Sequence, residues 1–153
     1  MKLYSLNRSQ TIRRPINEVF RFFENPENLK KITPKKLGFL LLTPTPIEMK
    51  QGTLIDYTIK VHGIGMRWTT LITEFNPPYK FVDVQLKGPY SYWHHTHGFK
   101  TIENGTVMSD KVVYALPLRF IGRIVHALLV KRQLQKIFDY RAKIIKRHFS
   151  EKT

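Results

Sequence analysis

The chain contains no cysteine, which removes disulfide frameworks, thiolate nucleophiles and thiolate metal sites together. It is also poor in acid: 11 Asp and Glu stand against 26 Lys and Arg, a formal net charge of +15. No apolar run approaches the length of a membrane span. The opening Met1-Lys2-Leu3-Tyr4-Ser5-Leu6-Asn7-Arg8 lacks the apolar core of a signal peptide. There is no Gly-x-Ser-x-Gly elbow, phosphate loop or dinucleotide fingerprint, and no repeat, low-complexity tract or linker. These absences argue against disulfide-stapled, nucleotide-binding and serine-hydrolase classes. They leave one soluble, cytoplasmic domain over residues 1–153 as the expectation, long enough to bury a substantial core.

A charge of +15 points to an anionic partner or to a solvated basic surface. Its spread, from Arg13-Arg14 through Lys30-Lys31 and Lys35-Lys36 to Lys131-Arg132 and Lys146-Arg147, weakens the nucleic-acid reading. No zinc finger, RNP-type strand or compact recognition helix accompanies it. Leu118 to Thr153 holds ten Lys/Arg against Asp139 and Glu151. That segment is expected to draw the protein to anionic membranes, by about 1 kcal/mol per basic residue near the surface.

What the chain does have is concentrated in Gly88-Pro89-Tyr90-Ser91-Tyr92-Trp93-His94-His95-Thr96-His97-Gly98-Phe99. Alternate residues of a strand share a face, so Trp93, His95, His97 and Phe99 fall together. Two imidazoles among large apolar groups suit a greasy pocket with a few polar handles.

Around this stretch the periodicities divide the chain. Pro15 opens a helix with Ile16, Val19, Phe20 and Phe23 on one face, and Asn25-Pro26 stops it. A second short helix runs from Glu27 to Ile32, and Leu37 to Leu42 reads as a strand. Gly52 to Pro117 reads as a strand meander. An Asn104-Gly105 turn sets His97 against Val112 and His95 against Tyr114. Turns at Gly88-Pro89, Asn76-Pro77-Pro78 and Gly63-Ile64 add Val82, Val84 and Leu86, then Trp68, Thr70 and Ile72, then Ile55, Tyr57 and Ile59. After Pro117 the period becomes helical: Ile121, Ile124/Val125, Leu128, Leu134, Ile137/Phe138, Arg141, Ile144/Ile145 and His148. An α+β fold follows, with two short helices after the first strand and a curved antiparallel sheet wrapped around a long C-terminal helix.

That order, with Pro15-Ile16-Asn17-Glu18-Val19-Phe20, Asn25-Pro26-Glu27-Asn28-Leu29, Trp93-x-His95-x-His97-x-Phe99, Asp110-x-Val112-x-Tyr114-x-Leu116-Pro117 and Ile137-Phe138-Asp139-Tyr140-Arg141, resembles the START-related, birch-pollen-allergen-like (SRPBCC) superfamily. The match spans essentially the whole chain and points to a bacterial, single-domain, polyketide-cyclase-like branch. The resemblance implies a helix-grip fold with a deep cavity between sheet and C-terminal helix. It also implies a hydrophobic ligand of lipid, polyketide or isoprenoid kind. The fold hosts carriers, sensors and enzymes, so it does not choose among them.

The lining expected for such a cavity is Tyr57, Ile59, Trp68, Val82, Val84, Trp93, His95, His97, Phe99, Val112, Tyr114, Ile124 and Leu128. His95 and His97, with Asp110 diagonal to His97, could orient a ligand or move protons as a cyclase or dehydratase would. They could equally be core histidines satisfied by Tyr114, Asp110 and water. A His95/His97/Asp110 zinc-like set is not expected, because His-x-His is common in strands and no cysteine supports it. No cofactor is expected. A carrier or sensor is favoured over an enzyme, since one His pair with one carboxylate is thin support for catalysis.

Overall fold

In the computed structural model, which describes residues 1–151, seven strands form one antiparallel sheet in the order β1-β7-β6-β5-β4-β3-β2. The strands are β1 (Tyr4–Ile12), β2 (Leu40–Leu41), β3 (Leu54–Val61), β4 (Ile64–Asn76), β5 (Lys80–Lys87), β6 (Tyr92–Ile102) and β7 (Gly105–Ala115). Lys152 and Thr153, part of the single domain expected from sequence, lie outside the described residues.

Between β1 and β2 come α1 (Ile16–Glu24) and the short α2 (Leu29–Ile32), flanked by 3-10 turns at Pro26–Asn28 and Lys35–Leu37. Pro15 precedes α1, whose Val19, Phe20, Phe22 and Phe23 are buried. The strand expected from Leu37 shrinks to two residues, because Gly38 takes a left-handed φ of 53° and ends the second 3-10 turn there. The C-terminal helix runs as α3 (Arg119–Val125), a π-turn (His126–Val130) and α4 (Lys131–Ser150).

Two hairpins depart from the expected register by two residues. The β3–β4 turn centres on His62-Gly63, with φ of 51° and 79°, the type I′ signature. The β6–β7 turn centres on Glu103-Asn104, so that Ile102 pairs with Gly105 and His97 with Asp110. Moving a turn by one residue shifts the register by two, which preserves every face. Gly105 has left the turn because it must open β7 beneath the end of β1. A Cβ there would strike the Ile12 carbonyl and the Arg13 backbone. Gly105→Ala is therefore expected to cost about 1–3 kcal/mol, read as a lower urea midpoint. Gly65→Ala, where an added Cβ meets open space, should move it little.

β5 differs in a more consequential way. The β4–β5 register shifts between Ile72 and Glu74, so Ile72 pairs with Asp83 and Phe75 with Phe81. One unpaired residue, Thr73, reverses the parity of β5 relative to the expectation. Phe81 and Asp83 therefore face inward beside His97 and His95, while Val82 and Val84 face the convex side. The β5–β6 connection restores the parity. There Gln85 Nε2 donates to the Tyr90 carbonyl at 2.7 Å and its Oε1 accepts from the Tyr90 N–H at 3.2 Å.

The core forms two packed ends. One gathers Ile12, Val19, Phe20, Phe23, Phe99, Met108, Ile145 and Phe149 under α1 and the end of α4. The other gathers Trp68, Trp93, Val112, Tyr114, Leu134 and Phe138 under the start of α4. The space between sheet and helices is left open.

Candidate functional site

That open space is an apolar cavity of about 450 Å³, within the few hundred cubic ångströms of small-molecule sites. Its sheet wall comes from Ile55, Tyr57, Ile59, Trp68, Thr70, Ile72, Phe81, Asp83, Trp93, His95 and His97. Leu29, Ile32, Leu37 and Phe39 close one side. Leu134, Ile137, Phe138 and Arg141 of α4 form the roof.

Of the thirteen residues expected to line it, Tyr57, Ile59, Trp68, Trp93, His95 and His97 do. Phe99 and Val112 face inward but are covered by α1 and α4 in the two packed clusters. Tyr114 is likewise covered, and its hydroxyl hydrogen-bonds His126 Nε2 at 2.8 Å. Val82 and Val84 are turned away by the bulge at Thr73. Ile124 and Leu128 are exposed, at 49% and 63%. The helix explains that correction: the Lys131 N–H bonds the His126 carbonyl, five residues back, and the extra residue rotates α3 relative to α4. Ile121, Val125 and Leu129 take the cavity side instead.

The polar end of the cavity is a compact charge cluster. His95 Nε2 bonds Asp110 Oδ1 at 2.7 Å, and His97 Nε2 bonds Asp83 Oδ2 at 2.7 Å. The two rings lie 3.7 Å apart. Asp110 thus stands directly opposite His97 in the ladder, not diagonal to it, yet its short hydrogen bond goes to His95. Asp83, the partner of His97, was not singled out in the sequence. Its signal there is weak: a lone acid in Phe81-Val82-Asp83-Val84 reads as a solvent position.

Burial opposes charge on every member, and the neighbours decide which members stay charged. Burial raises the Asp83 carboxyl, but the His97 hydrogen bond and the charges of His95, His97 and Arg141 hold it below its ordinary value. The same contest leaves Asp110 well below its ordinary value, with Arg141 the largest force against burial. His97 is raised, since the nearby Asp110 and Asp83 carboxylates outweigh burial. His95 is lowered, by burial first and by the neighbouring His97 charge second. These directions favour charge on both carboxylates and on His97 and disfavour it on His95, with the Arg141 guanidinium alongside.

A neutral His95 that gives its Nε2 proton to Asp110 keeps a lone pair on Nδ1. That atom is 3.7 Å from Asp83 Oδ2, beyond hydrogen-bond reach, and His95 borders the cavity. Arg141 also borders the cavity. Among the described residues its guanidinium makes no hydrogen bond or ion pair; it sits 5.4 Å from the Phe138 ring and its Nε is buried without a partner. Trp68 Nε1 is a second buried, unpartnered donor. Asp83, His95 and His97 also offer donor atoms within 4.8 Å of one another, a spacing a metal ion could bridge. In this structure His97 and Asp83 of that set are joined by a direct hydrogen bond.

No protein-family model matches the chain, and no curated protein does. Solved structures do. The Thermus thermophilus protein TTHA0849 shares 15% identity over 98% of this chain and 99% of its own, with a TM-score of 0.77. The ZhuI aromatase/cyclase of Streptomyces sp. R1128 shares 12% over 97% and 94%, with a TM-score of 0.73. Ara h 8.0201 shares 14% over 98% and 99%, with a TM-score of 0.62. At such identities the likeness is one of fold: a helix-grip, SRPBCC-like fold, as the sequence motifs implied.

Proposed function

We propose that the protein is a carrier or sensor that binds a hydrophobic small molecule in this cavity, with a polar, acidic head toward Arg141. The observation that supports this most is the half-buried Arg141 guanidinium, which borders a mainly apolar cavity and makes no hydrogen bond among the described residues. Its buried Nε lacks a hydrogen-bond partner, and an acidic ligand head would supply one. Trp68 Nε1 is a further unpartnered donor on the cavity wall. A lipid, polyketide or isoprenoid-like acid fits these features.

The test is fluorescence titration with cis-parinaric acid and with its methyl ester. The acid should bind the wild-type protein tighter by about ten- to hundredfold, the scale of a hydrogen bond to a charged group. Arg141→Met should abolish that preference while leaving the ester unchanged. Absence of binding by either probe would overturn the reading.

A second reading, an enzyme of the cyclase or dehydratase type, is favoured by the Asp110–His95 pair. There the carboxylate orients an imidazole whose other nitrogen is free beside the cavity. An aromatase/cyclase among the solved structures shares the fold. Under that reading His95→Gln would leave probe affinity intact and remove turnover of a bound poly-β-ketone. Under the carrier reading no turnover is seen with either protein.

A further inference from the structure

We propose that Leu118–Leu129, the start of the C-terminal helix, is a docking element for an anionic phospholipid surface and sets the cavity mouth against the bilayer. The segment is apolar on nearly every side and exposed: Leu118 and Phe120 at 72%, Leu128 at 63%, Ile121 at 59%. A helix that is hydrophobic all round belongs in a protein core or in lipid. Here α3 packs against the π-turn of its own helix and has little contact with the sheet.

The exposure is built in. Buried His126 stacks on Tyr4 at 3.4 Å and shares a hydrogen bond with Tyr114 at 2.8 Å. This fixes the helix at one point and leaves its apolar neighbours facing out.

Charge selects the occupant. Arg119, Arg123, Lys131 and Arg132 flank the patch and are exposed, and no Asp or Glu occurs from Lys111 to Phe138. Such a surface repels a second copy of itself and attracts anionic headgroups. No helix among the described residues is long and apolar enough to cross a membrane, so the segment would lie in the interface. Leu118, Ile121, Val125 and Leu129 belong both to this patch and to the cavity lining, so docking would open the cavity toward lipid.

The test is co-sedimentation with phosphatidylcholine vesicles with and without phosphatidylglycerol, at low and high salt. It uses the wild-type protein and Phe120→Ser/Ile124→Ser/Leu128→Ser, none of which lines the cavity. The wild type should prefer the anionic vesicles and keep part of its binding at high salt. The triple variant should bind at least about tenfold more weakly, as the loss of three buried apolar side chains requires, and lose the salt-resistant part. Equal partitioning of the two proteins, or no vesicle binding, would overturn the proposal. So would a dimer of the wild type, seen by sedimentation velocity, that the same variant dissociates. Circular dichroism and parinaric acid uptake in vesicle-free buffer, unchanged in the variant, keep a failure of docking distinct from a failure of the cavity reading.

Discussion

Asp110→Ala is expected to destabilise the protein by about 3–5 kcal/mol, the range for removing one member of a buried ion pair. For a chain of this size that is a fall in melting temperature on the order of 10 °C. Asp110 is 7% exposed, accepts a 2.7 Å hydrogen bond from His95 and helps hold the His97 proton. Without it the His95 N–H loses its acceptor and the His97 imidazolium loses one of two counter-charges. The same substitution should lower the His97 pKa, read by NMR titration of its ring protons. A melting temperature unchanged by Asp110→Ala would mean that the cluster is solvated or differently paired.

The pH dependence of stability follows from the same directions of shift. Asp83 and Asp110 lie below their ordinary 3.8, so their contribution is present above that value and is lost as pH falls through their lowered folded values. His97 lies above its ordinary 6.5, so its contribution is present below 6.5 and is lost as pH rises through the raised value. His95 lies below 6.5, so it costs stability as pH falls beneath 6.5, where the unfolded chain takes up its proton. The two histidines therefore oppose each other near neutral pH, and Asp110→Ala should flatten the His97 part.

Thr70→Trp is expected to abolish probe uptake, weakening it by about a hundredfold or more, because the indole would occupy the space a ligand needs. Thr70 is buried on β4 with its side chain on the cavity wall between those of Trp68 and Ile72. Overpacking a dense core costs about 1–3 kcal/mol, but a pre-existing void can take added volume with less strain. The variant should fold, with a melting temperature near the wild type or above it, while parinaric acid no longer binds. Undiminished binding in a folded Thr70→Trp protein would place the ligand elsewhere.

How much of this could be read from sequence depended on parity. The faces of β3, β4, β6 and β7 followed from alternation alone, because the two misplaced turns shifted the register by an even number of residues. β5 failed for a physical reason. A bulge of one residue at Thr73 leaves no mark in composition, and Val82, Val84 and Leu86 made the wrong face look apolar. Asp83, and with it half of the charge cluster, was lost by the same step. The helix behaved similarly. Its periodicity was visible from Leu134 onward, but the π-turn at His126–Val130 turned Ile124 and Leu128 outward and Val125 and Leu129 inward. Arg141 was seen as one more position of a helical face. Its place on the cavity wall, with a buried Nε that makes no hydrogen bond among the described residues, is a three-dimensional fact.

The central claim, that the cavity holds an apolar molecule with an acidic head, is tested most directly by native mass spectrometry of the freshly purified protein. The account predicts a copurified species of a few hundred daltons, ionising as an acid. It should be diminished in Arg141→Met and missing from Thr70→Trp. A wild-type protein that flies bare and stays bare after incubation with parinaric acid would contradict it.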